Sequence, residues 1–262
     1  MSAGSNATGE PLLELVRVMR RLRDPGGCPW DREQTHASLR RHLLEEAHEV
    51  LEAIDAGDDD RLREELGDLL IQVVFHAQIA EDEGAFTVDD VATKLVEKLV
   101  RRHPHVFGDA RADTPDAVLA NWDRIKADEK GGLEEHLEDD IPPSLPALLR
   151  AYKVQRRARA RGFDWRSREG ALGKLREELG ELAGAEGAEE VEAELGDLLF
   201  AAVAVARLSG VDAESALRGA TRRFAERFEQ MLRRADEAGA DLAGMSEAEL
   251  LAFFRRSREG AG

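Results

Sequence analysis

A chain of 262 residues with a formal net charge of -17 is long enough for one large domain or two of ordinary size. Its acidity argues against partners held by general attraction to phosphates, such as nucleic acid or an anionic membrane surface. The single cysteine, Cys28, excludes an intramolecular disulfide and fits a reducing compartment, and no stretch approaches the ~18 to 20 continuous apolar residues of a spanning helix. The expectation is a cytoplasmic protein with no membrane and no nucleic-acid partner.

Residues 1–10, rich in Ser, Gly, Ala and Asn, read as a disordered leader. In PLLELVRVMRRLR, Leu12, Leu15, Val16 and Met19 have amphipathic-helix spacing, and Pro25, Gly26, Gly27 and Pro29 then force a loop. Helices are expected over about 38–56 and 61–81, joined by the polar turn GDDD with Asp60 as N-cap. A fourth follows the cap Thr87 and runs to about Arg102, where HPHVFGD ends it, and a fifth spans about 115–130. The Gly pair, acidic run and three prolines of GGLEEHLEDDIPPSLP mark the best domain boundary.

The cycle then restarts. ALLRAYKVQRRARARG reads as a helix closed by Gly162, GFDWRS as a loop with an aromatic, and about 169–184, 188–208 and 212–235 as three further helices before a short last one at about 246–256. No alternating run of β-branched residues appears. The expected fold is all-α, with an N-terminal unit at 11–130, a linker at 131–145 and a C-terminal unit at 146–262.

A carboxylate pattern recurs in both units as EExxE, a gap, then ExxD. The first copy is Glu45, Glu46 and Glu49 followed by Glu65 and Asp68, and the second is Glu177, Glu178 and Glu181 followed by Glu194 and Asp197. On a wheel of about 100° per residue, Leu43, Ala47, Val50 and Ile54 form an apolar stripe, with Glu46 about 60° and Glu49 about 120° to one side. Leu62, Leu66, Leu69 and Val73 do the same for Glu65 and Asp68. Leu175, Leu179 and Leu182, then Val191, Leu195 and Leu198, repeat the register for the second copy. If each helix pair packs antiparallel through its stripe, four carboxylates converge at the seam, where they would repel one another unless a cation joined them. Oxygen donors without His or Cys favour Mg2+ or Mn2+ over zinc. Gly67 and Gly196 lie between the ExxD acids, where a missing side chain allows close approach.

One EExxE in a chain that is 35% charged is ordinarily a solvated face, but two copies in one register beside the apolar stripe point to sites. A di-iron bundle would want Glu-x-x-His ligands, and Asp68 or Asp197 stands there instead. Positive charge recurs too. Lys98 and Arg102, and Arg223 and Arg227, are i,i+4 pairs at the matching step of each unit, suited to phosphate oxygens as well as to helix C-termini. Lys174 lies one turn ahead of Glu178. Trp30 and Trp165 precede the two carboxylate helices, either as core lids or as platforms for a base. His103 and His105 flank Pro104 and shape a loop.

These residues together resemble the MazG family of nucleoside triphosphate pyrophosphohydrolases: CPWDREQT, both carboxylate sets, RRHPHVFGD, IPPSLPALLRA and GFDW occur in order across nearly the whole chain. The resemblance implies tandem MazG units, an intertwined homodimer, and Mg2+-dependent hydrolysis of nucleoside triphosphates to monophosphate and pyrophosphate, with broad base tolerance in nucleotide-pool housekeeping. It implies metal ligands at Glu46, Glu49, Glu65 and Asp68 and at Glu178, Glu181, Glu194 and Asp197. Glu45 and Glu177 would be supporting carboxylates or position a water; Lys174, Arg223 and Arg227 match nucleotide-contact positions. The chain departs from the family pattern at Thr221 and Arg223, where Asn and Lys are common. His42 stands where the second unit has Lys174, which favours the second unit for turnover. A nucleotide-binding regulator without turnover, or a hydrolase specific for dUTP or phosphoribosyl-ATP, are the alternatives.

Overall fold

The computed structural model describes residues 9–129 and 136–256; most of the expected leader and the start of the expected linker lie outside them. Every regular element among the described residues is helical. The chain divides into two compact units, 1–126 and 127–262.

In the first unit, α1 (Glu10–Arg23) is followed by a short α2 (Pro29–Glu33), which Pro29 at its first position starts inside the expected loop. The hairpin α3 (Arg40–Ala56) and α4 (Asp59–Asp82) comes next. Asp58, two residues before the expected cap, accepts hydrogen bonds from the backbone N–H groups of Asp60 and Arg61 at 3.1 and 3.0 Å. It starts the helix because its own backbone is extended, as an N-cap requires, whereas Asp60 is already helical. Thr87 caps α5 (Val88–Arg102) in a capping box: Thr87 Oγ1 accepts from Asp90 N at 3.2 Å and Asp90 Oδ2 accepts from Thr87 N at 2.8 Å. The short α6 (Pro104–Phe107) and α7 (Pro115–Glu129) complete the series.

The first unit's core lies at one end of this arrangement. Met19 of α1, Leu39 ahead of α3, and Val74, Phe75 and Ile79 in the C-terminal half of α4 are buried together, with Leu15, Val16 and Ile71 against them. The N-terminal half of α4, which carries the acids, is different. Leu66 is 48% exposed, and Leu43, Ile54 and Val73 of the expected stripes are exposed with it. The stripes form, but among the described residues much of their apolar surface is exposed.

The second unit repeats the plan with α8 (Ala147–Ala160), α9 (Arg168–Gly184), α10 (Ala188–Leu208), α11 (Ala213–Ala238), a 3-10 turn at Leu242–Gly244 and α12 (Glu247–Arg256). Gly162 has φ +88°, a conformation that ends α8 and turns the chain without Cβ strain. Residues 136–145 dock on α8: Ile141 is buried, Arg150 pairs with Glu138 at 2.7 Å, and Arg157 donates to the carbonyls of Leu137 and Asp139. Small residues let α8, α9 and α10 approach closely, with Ala171, Ala201, Val203 and Ala204 buried. Leu179, Val191 and Leu195 beside the second acid set are exposed, as in the first unit.

Candidate metal centres

Each hairpin turns its acids onto one flank, as the i, i+3 spacing requires. In the first unit, carboxylate oxygens of Glu46 and Glu49 on α3 and Glu65 on α4 lie within 4.8 Å of one another; in the second, Glu178 and Glu181 on α9 and Glu194 on α10 do the same. Three of the four expected ligands in each unit are therefore in contact range. Asp68 is near enough to act electrostatically on Glu46. Asp197, one turn beyond Glu194, falls outside the close group.

The two groups differ in charge balance. Glu46 is pushed above the ordinary carboxylate range, first by desolvation and then by Asp68, Glu49 and Glu65. The cation on that flank is Arg61, which reaches Glu65 at 3.2 Å and Glu52 at 3.1 Å. In the second unit Lys174 Nζ lies 2.6 Å from Glu178 and 2.7 Å from Glu177. Its hydrogen bond holds Glu178 below the usual range and raises the lysine's own pKa. Glu178 is 4% exposed and hydrogen-bonds Glu181, which is raised in turn. Three oxygen donors per group, no nitrogen or sulfur donor in either, and the repulsion felt by Glu46 make the chemistry one that a hard divalent cation fits.

The supporting acids hold matching places. Glu45 lies 3.3 Å from His42 Nδ1 and 3.4 Å from Arg41, as Glu177 lies beside Lys174. The remaining basic residues stand apart. Among the described residues no ion pair joins Lys98, Arg223 or Arg227 to either acid group; Lys98 and Arg223 are exposed, Arg102 and Arg227 half-buried. Trp165 is half-buried against the first turn of α9, its Cδ1 3.9 Å from where a Cβ on Gly170 would sit. Trp30 is 53% exposed, edge-on to His42 at 6.2 Å and to Phe75 at 6.4 Å. It is an open platform beside the residue that replaces Lys174, where a core lid was one expectation. His103 shapes its loop as expected, donating from Nδ1 to the Leu99 carbonyl at 2.6 Å and packing edgewise on Trp122.

Some participants escaped the sequence reading. Arg61 was hidden because an i,i+4 Arg–Glu pair looks like surface decoration. The pairing of His36 with His76 through their Nδ1 atoms at 2.8 Å spans 40 positions and leaves no local pattern. Asp164 and Arg207, joined across 43 positions, were invisible for the same reason.

The chain is similar to several known proteins. A family model described as the MazG nucleotide pyrophosphohydrolase domain matches twice, at residues 34–107 and 166–232, each span taking in one acid group. A Thermotoga maritima protein named nucleoside triphosphate pyrophosphohydrolase/pyrophosphatase MazG is 48% identical over 94% of this chain and 95% of its own. The Escherichia coli K12 nucleoside triphosphate pyrophosphohydrolase is 46% identical over 88% of this chain and 90% of its own. A crystal structure of a mazG-related protein from Thermotoga maritima aligns with 45% of this chain and 97% of that one at 30% identity and a TM-score of 0.38.

Proposed function

The chain belongs to the MazG family of nucleotide pyrophosphohydrolases, and from that premise we propose that it is a hydrolase converting (deoxy)nucleoside triphosphates to nucleoside monophosphate and pyrophosphate. The reading extends to broad base tolerance, a cytoplasmic role in clearing noncanonical nucleotides, and Mg2+ as the cofactor with Mn2+ able to replace it. The observation that carries it is the duplicated acid group, two sets of three carboxylates within 4.8 Å in one register, the second with a lysine on it.

Glu178, Glu181 and Glu194, with Asp197 one turn on, would hold the cation in the second unit, and Glu46, Glu49, Glu65 and Asp68 in the first. When bound, the metal neutralises the triphosphate and polarises the bond between the α and β phosphates. Glu177 would orient the attacking water, with Glu45 its counterpart. Lys174, paired with Glu177 and Glu178, would stabilise charge developing on the leaving pyrophosphate. Arg223 and Arg227, and Lys98 and Arg102 in the first unit, would contact phosphate oxygens further out, and Trp165 would bound the base. The uncovered apolar stripes around Leu66 and Leu179 support a homodimer in which a second copy covers them.

Incubation with a panel of nucleoside triphosphates and Mg2+ tests the reading through its product. Pyrophosphate release is the expected result. Orthophosphate as the product would overturn it, and bound but uncleaved nucleotide would favour the regulatory alternative.

A further inference from the structure

The loop carrying Trp165 is held by a buried polar clamp that the chemistry above does not use. Arg207, near the C-terminal end of α10 and with its side chain 5% exposed, grips Asp164 with both terminal nitrogens, Nη1 at 3.1 Å from Oδ2 and Nη2 on Oδ1. Its Nε donates to Gln155 Oε1 of α8 at 3.3 Å, and Gln155 Nε2 donates to the Phe200 carbonyl of α10 at 2.8 Å. Asp164 Oδ1 also accepts the backbone N–H of Trp165 at 2.9 Å. Two helices and the loop are thus tied through one carboxylate, adjacent in sequence to the tryptophan. Burial opposes the charge on Asp164, but Arg207 outweighs it and keeps the carboxyl below its usual range.

The tryptophan so fixed lies against Gly170, and Gly170, Lys174 and Glu178 follow at i, i+4 and i+8 along one face of α9. Eight residues of helix are about 12 Å, a span suited to a nucleotide with its base at one end and its phosphates at the other. The first unit holds its own tryptophan segment with unrelated residues. There the cation comes from α1: Arg23 Nε pairs with Asp82 of α4 at 2.7 Å, and Nη1 donates to the carbonyls of Asp31, inside α2 and next to Trp30, and of Gln34, which caps that helix. Gln78 braces Asp82 at 2.9 Å. The long helix supplies the cation Arg207 in the second unit and the carboxylate Asp82 in the first, yet both clamps secure the segment bearing the tryptophan. A device made twice from different residues marks the position of the tryptophan as what is being held.

We propose that Asp164, Arg207 and Gln155 are positioning residues for Trp165, which they hold as the base-facing wall of the second site, so that the clamp governs nucleotide affinity and not the chemical step. The proposal rests on the reading of the second unit as a nucleoside triphosphate site. Asp164→Asn keeps the shape and weakens the charged grip. It is expected to raise KM for a nucleoside triphosphate about tenfold while kcat stays within about twofold. Inhibition by inorganic tripolyphosphate, which has no base, is expected to be unchanged. Trp165→Ala should reproduce the KM effect, and the Asp164→Asn/Trp165→Ala pair should be no worse than either alone. Arg207→Lys should fall between the parent and Asp164→Asn, and serves as the milder variant if the latter folds poorly. Equal weakening of tripolyphosphate, or additive effects in the double variant, would overturn the proposal and make the clamp a scaffold only. A Trp165→Ala protein with normal KM would overturn it while leaving the pyrophosphohydrolase reading intact. Unsubstituted protein that releases no pyrophosphate would remove that reading and the proposal with it.

Discussion

The two acid groups are built on the same helix hairpin with the same spacing, but in one Glu46 keeps its repulsion and in the other a lysine offsets it at Glu178 while Glu181 stays raised. In the first, Glu46 is pushed toward protonation by burial and by three neighbouring acids, and Arg61 pairs with Glu65 and Glu52 instead of with it. In the second, Lys174 sits on Glu177 and Glu178 and favours the ionised form of Glu178. The corresponding residue in the first unit, His42, lies 3.3 Å from the outer acid Glu45 and turns its ring to Trp30. The difference teaches that the acid spacing sets where a cation can be held, while one side chain a turn earlier decides what else the site can do. A lysine carries its charge to the phosphates on a long flexible stem; the shorter ring of His42, turned to Trp30, does not.

The comparison is broken most directly by removing one acid at a time. Glu178→Gln or Asp197→Asn is expected to lower pyrophosphate release by on the order of 100-fold or more, whereas Glu46→Gln keeps it within about threefold. The reverse pattern would transfer turnover to the first unit. Lys174→Met should cost about 10- to 100-fold in kcat with the metal requirement unchanged. The complementary change sharpens the point: His42→Lys in a Glu178→Gln background should restore measurable release, and its failure would mean that the lysine is not what separates the two sites.

How far the sequence reached follows from the same residues. Helix positions, the Thr87 cap and the convergence of Glu46, Glu49 and Glu65 depend on local periodicity, which a wheel captures. The wheel also found the apolar stripes, but it cannot tell a face covered by the chain's own core from one left open, so Leu66 and Leu179 read as core and are exposed. Asp164 and Arg207 lie 43 positions apart and only the packing of α10 on α8 brings them together. The proximity of Trp30 to His42 likewise comes from the tertiary fold.

Without metal, the two groups should respond to substitution with opposite sign. A carboxyl whose folded pKa is raised destabilises the fold when ionised. Stability therefore rises as pH falls through Glu46's raised value toward the ordinary 4.5. Glu178 is depressed, so its contribution is present above 4.5 and is lost as pH falls through its lowered value. Thermal unfolding in excess chelator near neutral pH should accordingly show Glu46→Gln more stable than the parent and Glu178→Gln less stable. The gain from Glu46→Gln should shrink as the medium is acidified toward 4.5 and should reverse when Mg2+ is added. Shifts of the same sign for both variants would mean that Lys174 does not balance the second group.

The smallest effect concerns the glycines between the ExxD acids. A Cβ added at Gly67 or Gly196 meets nothing within 4 Å, so alanine at either position should stabilise its helix by up to about 1 kcal/mol in the metal-free protein. A helix interior that forgoes this gain in both units points to something outside the chain that approaches the backbone there. If turnover belongs to the second unit, the approaching group at Gly196 would be the substrate's phosphate chain, and Gly196→Ala should raise KM while Gly67→Ala leaves it unchanged. Both variants should show the same gain in unfolding temperature, which separates the helix effect from the binding effect. If both raise KM equally, the units share turnover and the imbalance at Lys174 tunes the sites without choosing between them. If neither does, the space beside these glycines belongs to a second copy of the chain, and the dimer should weaken in both.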